Sequence, residues 1–243
     1  MIIPKHIIQS YAVPYENLVE LKTVLKKNER QGWTFYYFDD EMCVDFLKKH
    51  YSGDVLKAWK KAKNGAMRAD LFRYCVLYIL GGFWVDVHTK LFDLSFREDS
   101  ELVLLSDYGT GHNPCTRFGP SVIGCPARHP LLRFLVSSCV NNLLTMKILN
   151  RNTWKITGPI FFTKCIRIMY PNIANSVKER KYKIPYVDII TERPEKIKAR
   201  NWECFLTNQA NSVVIGQNHA VEYRKQRKRD KVKHYSDLYE KFK

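Results

Sequence analysis

The stretch RADLFRYCVLYILGGFWVDVHT, residues 68–89, is apolar enough for a protein core, yet it carries side chains that could do chemistry. Asp70 and Arg73 lie in a segment that is otherwise apolar or aromatic on all sides, which is typical of a buried helix. Three residues apart, they share one helix face. They either form a buried ion pair that closes on itself or hold a polar ligand, and the spacing alone leaves both interpretations open.

The segment after Gly81-Gly82 indicates a strand with a second polar pair at its end. Period-two alternation places Trp84, Asp86 and His88 on one face of that strand. A carboxylate beside an imidazole is a workable pair of ligands for a divalent cation. The two glycines permit a tight reversal, which would bring the face of Asp70 toward the same end. Alternatively, Asp86 and His88 form a polar strand end that faces water.

The elements around this stretch alternate in the first half of the chain, which favours a mostly parallel sheet with helices on its faces. The second half is less regular. Strands are predicted at residues 3–9, 33–38, 83–88, 101–106, 121–124, 184–190 and 212–216. Helices are predicted at residues 15–28, 39–50, 57–80, 129–144 and 157–170.

Five motifs in this order resemble the glycosyltransferases with a DXD sugar-binding region, the family of the yeast initiating α-1,6-mannosyltransferase. The large clostridial glucosylating toxins share the core of that family. Residues 68–89 match the family signature, which consists of an acid, an Arg, an aromatic residue, G-G and then the position of the DXD motif. The other four motifs are IPKHIIQSY at the start, WTFYYFDDEM, GCPARHPLL and TGPIFFT.

The resemblance implies an α/β GT-A fold, the Rossmann-like fold of nucleotide-diphospho-sugar transferases, with a mostly parallel central sheet flanked by helices. It implies that a hexose moves from a nucleotide-sugar donor, GDP-mannose or a UDP-hexose, to a hydroxyl of a glycan, protein or lipid acceptor, with retention at the anomeric carbon. It also implies a divalent cation, Mn²⁺ or Mg²⁺, that bridges the diphosphate and acts as a Lewis acid.

The resemblance assigns roles to individual positions. Asp70 and Arg73 would hold the hydroxyls of the donor sugar, and Asp86 would contact the ribose and a metal-bound water. His88 stands where the family has its direct metal ligand, an Asp. Because an imidazole binds metal only when neutral, we expect activity to fade below about pH 6.5. The remaining implied donor-binding residues are Ile8, Gln9, Arg68, Trp84 and Ser236, and the C-terminal metal ligand is His234, with His219 as the weaker option.

The net charge of +16 favours anionic partners. The basic stretch near the C-terminus could be a solvated face, a diphosphate clamp or a contact with an anionic membrane. A basic nucleic-acid-binding protein is the rival function, although no helix-turn-helix, RRM or zinc-finger pattern supports it, and no nucleic-acid partner is expected. An inactive glycosyltransferase relative is a further alternative, because D-x-H departs from D-x-D.

Other features concern metal, location and domains. His112, Cys115, Cys125 and His129 have spacing acceptable for structural zinc, but His129-Pro130 also reads as a helix start.

Seven Cys without a CxxC motif and the absence of an apolar leader favour a cytoplasmic protein, soluble or peripheral to a membrane. The longest apolar run, Tyr74–Val85, is too short to span a bilayer. We expect one catalytic domain over residues 1–221 and a basic tail over 222–243 that closes over the donor site.

Overall fold

The structure, a computed structural model, describes residues 2–29, 31–91, 100–107, 117–149, 152–173, 187–194, 204–207, 214–218 and 220–232. Its helices are α1 (Lys22–Lys26), α2 (Asp40–His50), α3 (Gly53–Lys61), α4 (Gly65–Leu80), α5 (Pro130–Thr145), α6 (Thr153–Ile156), α7 (Pro159–Met169) and α8 (Ala220–Arg229). Its strands are β1 (His6–Ser10), β2 (Thr34–Phe38), β3 (Gly82–Val85), β4 (Thr89–Leu91), β5 (Leu102–Asp107), β6 (Arg117–Cys125), β7 (Val187–Pro194), β8 (Cys204–Thr207) and β9 (Val214–Asn218).

The described strands form one sheet in the order β2-β1-β3-β6-β5-β7-β8-β9-β4. The predicted α/β class is confirmed, but the sheet is mixed where the sequence suggested a mostly parallel one. Strand β1 pairs in parallel with β2 and β3, and β5 with β7, whereas β6 runs antiparallel to both β3 and β5. Only residues 108–116 separate β5 from β6, which is shorter than the dozen or so residues that a parallel crossover needs.

Three helices begin within two residues of where the sequence predicted, because the residues that start them are local. The Asp39 side chain accepts from Met42 N at 2.8 Å at the start of α2. His129 Nδ1 accepts from Leu131 N at 3.3 Å before Pro130 of α5, and α7 begins with Pro159. Proline at the first turn is favoured because its missing N–H would have no partner there anyway.

Two predicted helices are wrong in length. The helix predicted over residues 57–80 is interrupted between α3 and α4, where the Asn64 side chain caps α4 by accepting from Met67 N at 2.9 Å. The helix predicted over residues 15–28 is reduced to a 3-10 turn at Tyr15–Asn17 and the short α1. Apolar spacing showed which side is buried but did not reveal these breaks.

Helix α4 lies in the core, as its composition predicted, and delivers the chain directly into β3. Gly81 ends the helix with φ 63°, and Gly82 follows with φ 98°, a region that favours glycine. A Cβ on Gly82 would lie 2.5 Å from His6 Cβ, so β1 and β3 approach closely there. Within the described ranges, none of the helices has the length and apolar character needed to cross a membrane.

Candidate active site

Arg73 joins the two polar clusters that the sequence placed on a helix and at a strand end. Its Nη2 lies 3.3 Å from Asp70 Oδ1, and its Nη1 lies 3.2 Å from Asp86 Oδ1. Nη1 also donates to Pro120 O at 2.6 Å, and the guanidinium carbon lies 5.0 Å from the centroid of the Trp84 ring. Arg73 and Asp70 are each only 5% exposed. The result is one buried polar cluster, neither a lone Asp70–Arg73 pair nor two separate sites.

Asp70 is held from its other side by the turn between α6 and α7. Thr157 Oγ1 donates to Asp70 Oδ2 at 2.8 Å, and Tyr74 OH donates to Thr157 O at 2.8 Å. Burial raises the pKa of Asp70 to about 6, while Arg73 and the Thr157 hydrogen bond lower it and Asp86 adds to the rise. Thr157 is a site residue that the sequence analysis missed, although the TGP motif pointed to this turn.

Asp86 follows directly after β3 and keeps the side predicted for it. Its backbone N donates to Ser121 O at 2.8 Å, and its Oδ1 accepts from Trp84 Nε1 at 2.9 Å. Its side chain is 21% exposed, so Asp86 is the more accessible of the two carboxylates. The strand itself ends at Val85, and Thr89 N donates to Asp86 O at 2.7 Å. The prediction that the strand continues to His88 is therefore wrong, because the chain turns after Asp86.

The Gln9 side chain stabilises the turn that follows β3 at Asp86. Its Nε2 donates to Val85 O at 3.1 Å and Asp86 O at 3.2 Å, and its Oε1 accepts from Asn28 Nδ2 at 3.3 Å. Gln9 and Ile8 are both 0% exposed. Neither side chain has exposed surface, and their predicted contact with the donor stays a prediction. Gln9 instead fixes the backbone that carries Asp86.

Arg68 lies apart from the cluster although it shares α4 with it. Its Nη1 is 3.7 Å from Asp40 Oδ2, and its guanidinium carbon is 5.9 Å from the centroid of the Trp59 ring. Burial raises the pKa of Asp40, and the nearby Arg68 opposes that rise. The structure therefore places Arg68 against the start of α2, and its predicted contact with the donor stays a prediction.

His88 contacts a residue that the sequence analysis did not consider. The centroid of its ring lies 5.2 Å from that of Tyr223 on α8, and Tyr11 at the end of β1 approaches Tyr223 edge-on at 6.1 Å. The Arg227 guanidinium lies 6.0 Å from the centroid of the Tyr223 ring. Burial lowers the pKa of Arg73, but Asp86, Asp70, Tyr74 and, last, Tyr223 outweigh it and raise the pKa. Helix α8 thus borders the candidate site.

Helix α8 is fastened to the N-terminal part of the chain. Gln226 is fully buried, and its Oε1 accepts from the backbone N–H groups of Val19, Glu20 and Leu21 at 2.8, 2.7 and 3.3 Å. Arg229 adds a charged hydrogen bond to Glu20 Oε1 at 2.7 Å. The helix crosses the predicted domain boundary at residue 221, and its described part packs against the domain. That the tail closes over the donor site stays a prediction.

The metal prediction rests on few of the described residues. Among the residues that the structure describes, no three His, Cys, Asp or Glu side chains converge as a metal site. Asp86 can supply carboxylate oxygen, and His88 lies two residues further along the turn. The other predicted ligands, His234 and His219, and the donor-binding Ser236 lie outside the described residues. The described donors alone do not make a cation site, and the predicted site depends on those residues.

The zinc hypothesis finds no support from its two described members. Cys125 is buried in the core, where burial raises its pKa, and His129 acts as the cap of α5. Burial also lowers the pKa of His129. His112 and Cys115 lie outside the described residues. The alternative interpretation, that His129-Pro130 starts a helix, is confirmed.

The polar cluster falls inside a stretch that other proteins share. Residues 16–93 match the family described as glycosyltransferase sugar-binding region containing DXD motif. This part of the chain is similar to the DXD-type glycosyltransferase sugar-binding region. The recognition from motifs is therefore confirmed for this part of the chain, which contains Asp70, Arg73 and Asp86.

Similar proteins agree with this identification. The initiation-specific alpha-1,6-mannosyltransferase of Candida albicans is 26% identical over an alignment of 227 residues, which covers 77% of this chain and 58% of that protein. An uncharacterized glycosyltransferase of Acanthamoeba polyphaga mimivirus is 28% identical over 133 residues, 53% of this chain and 50% of that protein. The chain thus spans little more than half the length of these relatives.

A solved structure supports the fold. The PaToxG glycosyltransferase superposes with a TM-score of 0.51 at 14% sequence identity, covering 74% of each chain. At that identity the likeness concerns the fold alone. The predicted GT-A fold is confirmed.

Proposed function

We propose that this protein is a glycosyltransferase that moves a hexose from a nucleotide-diphosphate sugar to a hydroxyl of a glycan or other acceptor. The observation that carries the proposal is the single buried cluster in which Arg73 joins Asp70 to Asp86. This cluster lies at the carboxyl ends of the parallel strands β1 and β3, where open α/β sheets bind ligands. The family match of the surrounding residues supports the same activity.

In this proposal the cluster binds and orients the donor sugar. Asp70 accepts from sugar hydroxyls, and Thr157 and Arg73 hold its two oxygens in fixed directions. Arg73 donates to Pro120 O, which fixes the plane of its guanidinium before a donor arrives. Such preorganisation reduces the ordering that binding would otherwise require. Asp86, the more exposed carboxylate, faces the ribose and diphosphate.

A divalent cation is part of the proposal as well. Asp86, with His88 and with His234 or His219, would hold Mn²⁺ or Mg²⁺, which when bound offsets the negative charge that develops on the departing nucleoside diphosphate. Retention at the anomeric carbon is proposed from the family resemblance. GDP-mannose is the first donor to test, because one relative is named a mannosyltransferase, and UDP-hexoses come next.

The test is a screen of GDP-mannose, UDP-glucose, UDP-galactose and UDP-N-acetylglucosamine for binding by calorimetry and for slow hydrolysis, each with Mn²⁺ and with EDTA. We expect one donor to bind in Mn²⁺ and to lose affinity in EDTA and in Asp86→Asn. Asp54→Asn, an exposed carboxylate paired only with Lys57 in the described contacts, is the matched control and should bind normally. If no donor binds, or if binding ignores both the cation and Asp86, the proposal is wrong.

A further inference from the structure

Beyond the donor cluster, strand β6 carries a second set of side chains past the end of β3. Val122 pairs with Val85, the last residue of β3, and Ser121 O accepts from Asp86 N at 2.8 Å. Because β6 is antiparallel to β3, its residues before Ser121 extend beyond the carboxyl end of β3. Arg117 begins β6 and therefore lies beyond the carboxyl end of β3, the end of the sheet that carries Asp86.

Trp154 of α6 meets Arg117 at this edge. The Arg117 guanidinium carbon lies 5.5 Å from the centroid of the indole ring. Trp154 keeps 39% of its surface exposed, unlike Trp84 and Trp59, which are buried in the core. An aromatic side chain that keeps exposed surface close to a proposed ligand site offers a face on which a ligand can stack.

The backbone of Trp154 is adjacent to the donor cluster. A Cβ placed on Gly158 would lie 3.2 Å from Trp154 Cα and 3.4 Å from Asp70 Oδ2. Trp154 Cα and Asp70 Oδ2 are therefore both in van der Waals range of the same point. Thr153 O accepts from Thr157 N and from Gly158 N, which ties α6 to the turn that holds Asp70. The backbone that carries Trp154 is thus held close to the carboxylate proposed to bind the donor sugar.

The chemistry of this pair fits a neutral carbohydrate. A pyranose ring presents C–H groups on its faces and hydroxyls around its edge, which match an aromatic ring beside a guanidinium. Tryptophan and arginine are also the residues that most often dominate binding energy at recognition surfaces. We propose that Trp154 and Arg117 form the acceptor subsite, in which Trp154 stacks on a pyranose ring of the acceptor and Arg117 donates to its hydroxyls. This inference rests on the proposed function and adds the class of acceptor.

The first experiment measures saccharide binding without turnover. Saturation-transfer NMR on the full chain, with mannobiose, maltose, cellobiose and lactose as probes, should show transfer to pyranose C–H protons for at least one of them. That transfer should be lost in Trp154→Ala and retained in part in Trp154→Phe. Ile168→Ala, which truncates an apolar residue of α7 that is 56% exposed, is the matched control and should behave like the unmodified protein. No transfer to any probe, or equal transfer in Trp154→Ala, would overturn the subsite.

The second experiment separates the subsite from a structural role. With the donor identified in the screen above, Trp154→Ala should raise the acceptor KM about tenfold while the donor KM and the rate of donor hydrolysis stay unchanged. A parallel fall in donor hydrolysis and in thermal stability would assign Trp154 to the support of Asp70 instead, against the inference. If the unmodified protein binds a saccharide through Trp154 but no nucleotide sugar, the proposed function fails and the carbohydrate subsite stands.

Discussion

Replacing Arg73 by Met removes the cation that touches both carboxylates of the cluster while keeping much of the side-chain volume. The lost contacts are the ion pairs at 3.3 and 3.2 Å and the stacking on Trp84. Removal of one partner from a buried ion pair costs about 3–5 kcal/mol because the remaining charge is left uncompensated. Since whole domains are stable by about 5–15 kcal/mol, Arg73→Met should fold but unfold at clearly lower urea concentration.

The cost should depend on pH in a defined direction. The pKa of Asp70 is raised to about 6, so this carboxyl is ionised at pH 8 and largely protonated at pH 5. Without Arg73, which lowers that pKa, protonation becomes easier still. The destabilisation by Arg73→Met should therefore be larger at pH 8 than at pH 5, and Asp70→Asn in the same chain should recover part of it.

Urea unfolding followed by circular dichroism at both pH values measures these free energies. Lys57→Met is the matched control, because Lys57 pairs with Asp54 at 2.9 Å with both side chains more than 60% exposed. Exposed pairs contribute at most about 1 kcal/mol. A loss below about 1 kcal/mol for Arg73→Met, or an equal loss at both pH values, would contradict the view that a buried charge network holds the site together.

Three shorter predictions concern the same region. Tyr223→Ala should raise the donor KM several-fold by removing the ring against His88, whereas Tyr223→Phe should keep the KM of the unmodified protein. An unchanged KM in Tyr223→Ala would show that Tyr223 plays no part in donor binding. Donor affinity should fall as pH drops through about 6, because protonation removes the charge of Asp70 and turns one of its two acceptor oxygens into a donor. Folding stability from this group should instead fall as pH rises from about 4 to about 6, because its pKa is higher in the folded chain than in the unfolded chain. Asp70→Asn should show neither step in titration calorimetry and unfolding. Gly82→Ala should cost about 2 kcal/mol or more because of the positive φ and the close approach of β1, while Gly53→Ala, with open space around its Cβ, should be neutral or stabilising in the same urea assay.

The sequence predicted those features whose causes are local. Asp39, His129-Pro130 and Gly158-Pro159 are caps that need no distant partner, and the helices that they start are where we expected them. The placement of Asp70 toward Asp86 was also predictable, because the glycine pair permits a tight reversal there. Roles beyond this geometry stay predictions.

What the sequence could not predict depends on partners far along the chain. The helix expected from Tyr15 is cut short where Gln226, more than 200 residues later, accepts from three backbone N–H groups. Tyr223 carries no motif of its own, so nothing marked it as a neighbour of His88. The antiparallel direction of β6 is explained by the short connection between β5 and β6. The length of that connection could be counted only once the boundaries of both strands were known.

The hydrogen bonds that attach α8 to the N-terminal part of the chain have a consequence for biosynthesis. The N–H groups of Val19, Glu20 and Leu21 are synthesised more than 200 residues before Gln226, whose side-chain oxygen accepts from them. Until translation has passed α8, a nascent chain therefore lacks these three hydrogen bonds and the Tyr223 ring beside His88. A product that ends before α8 should be cleaved by proteases near Val19–Leu21 more readily than the full chain.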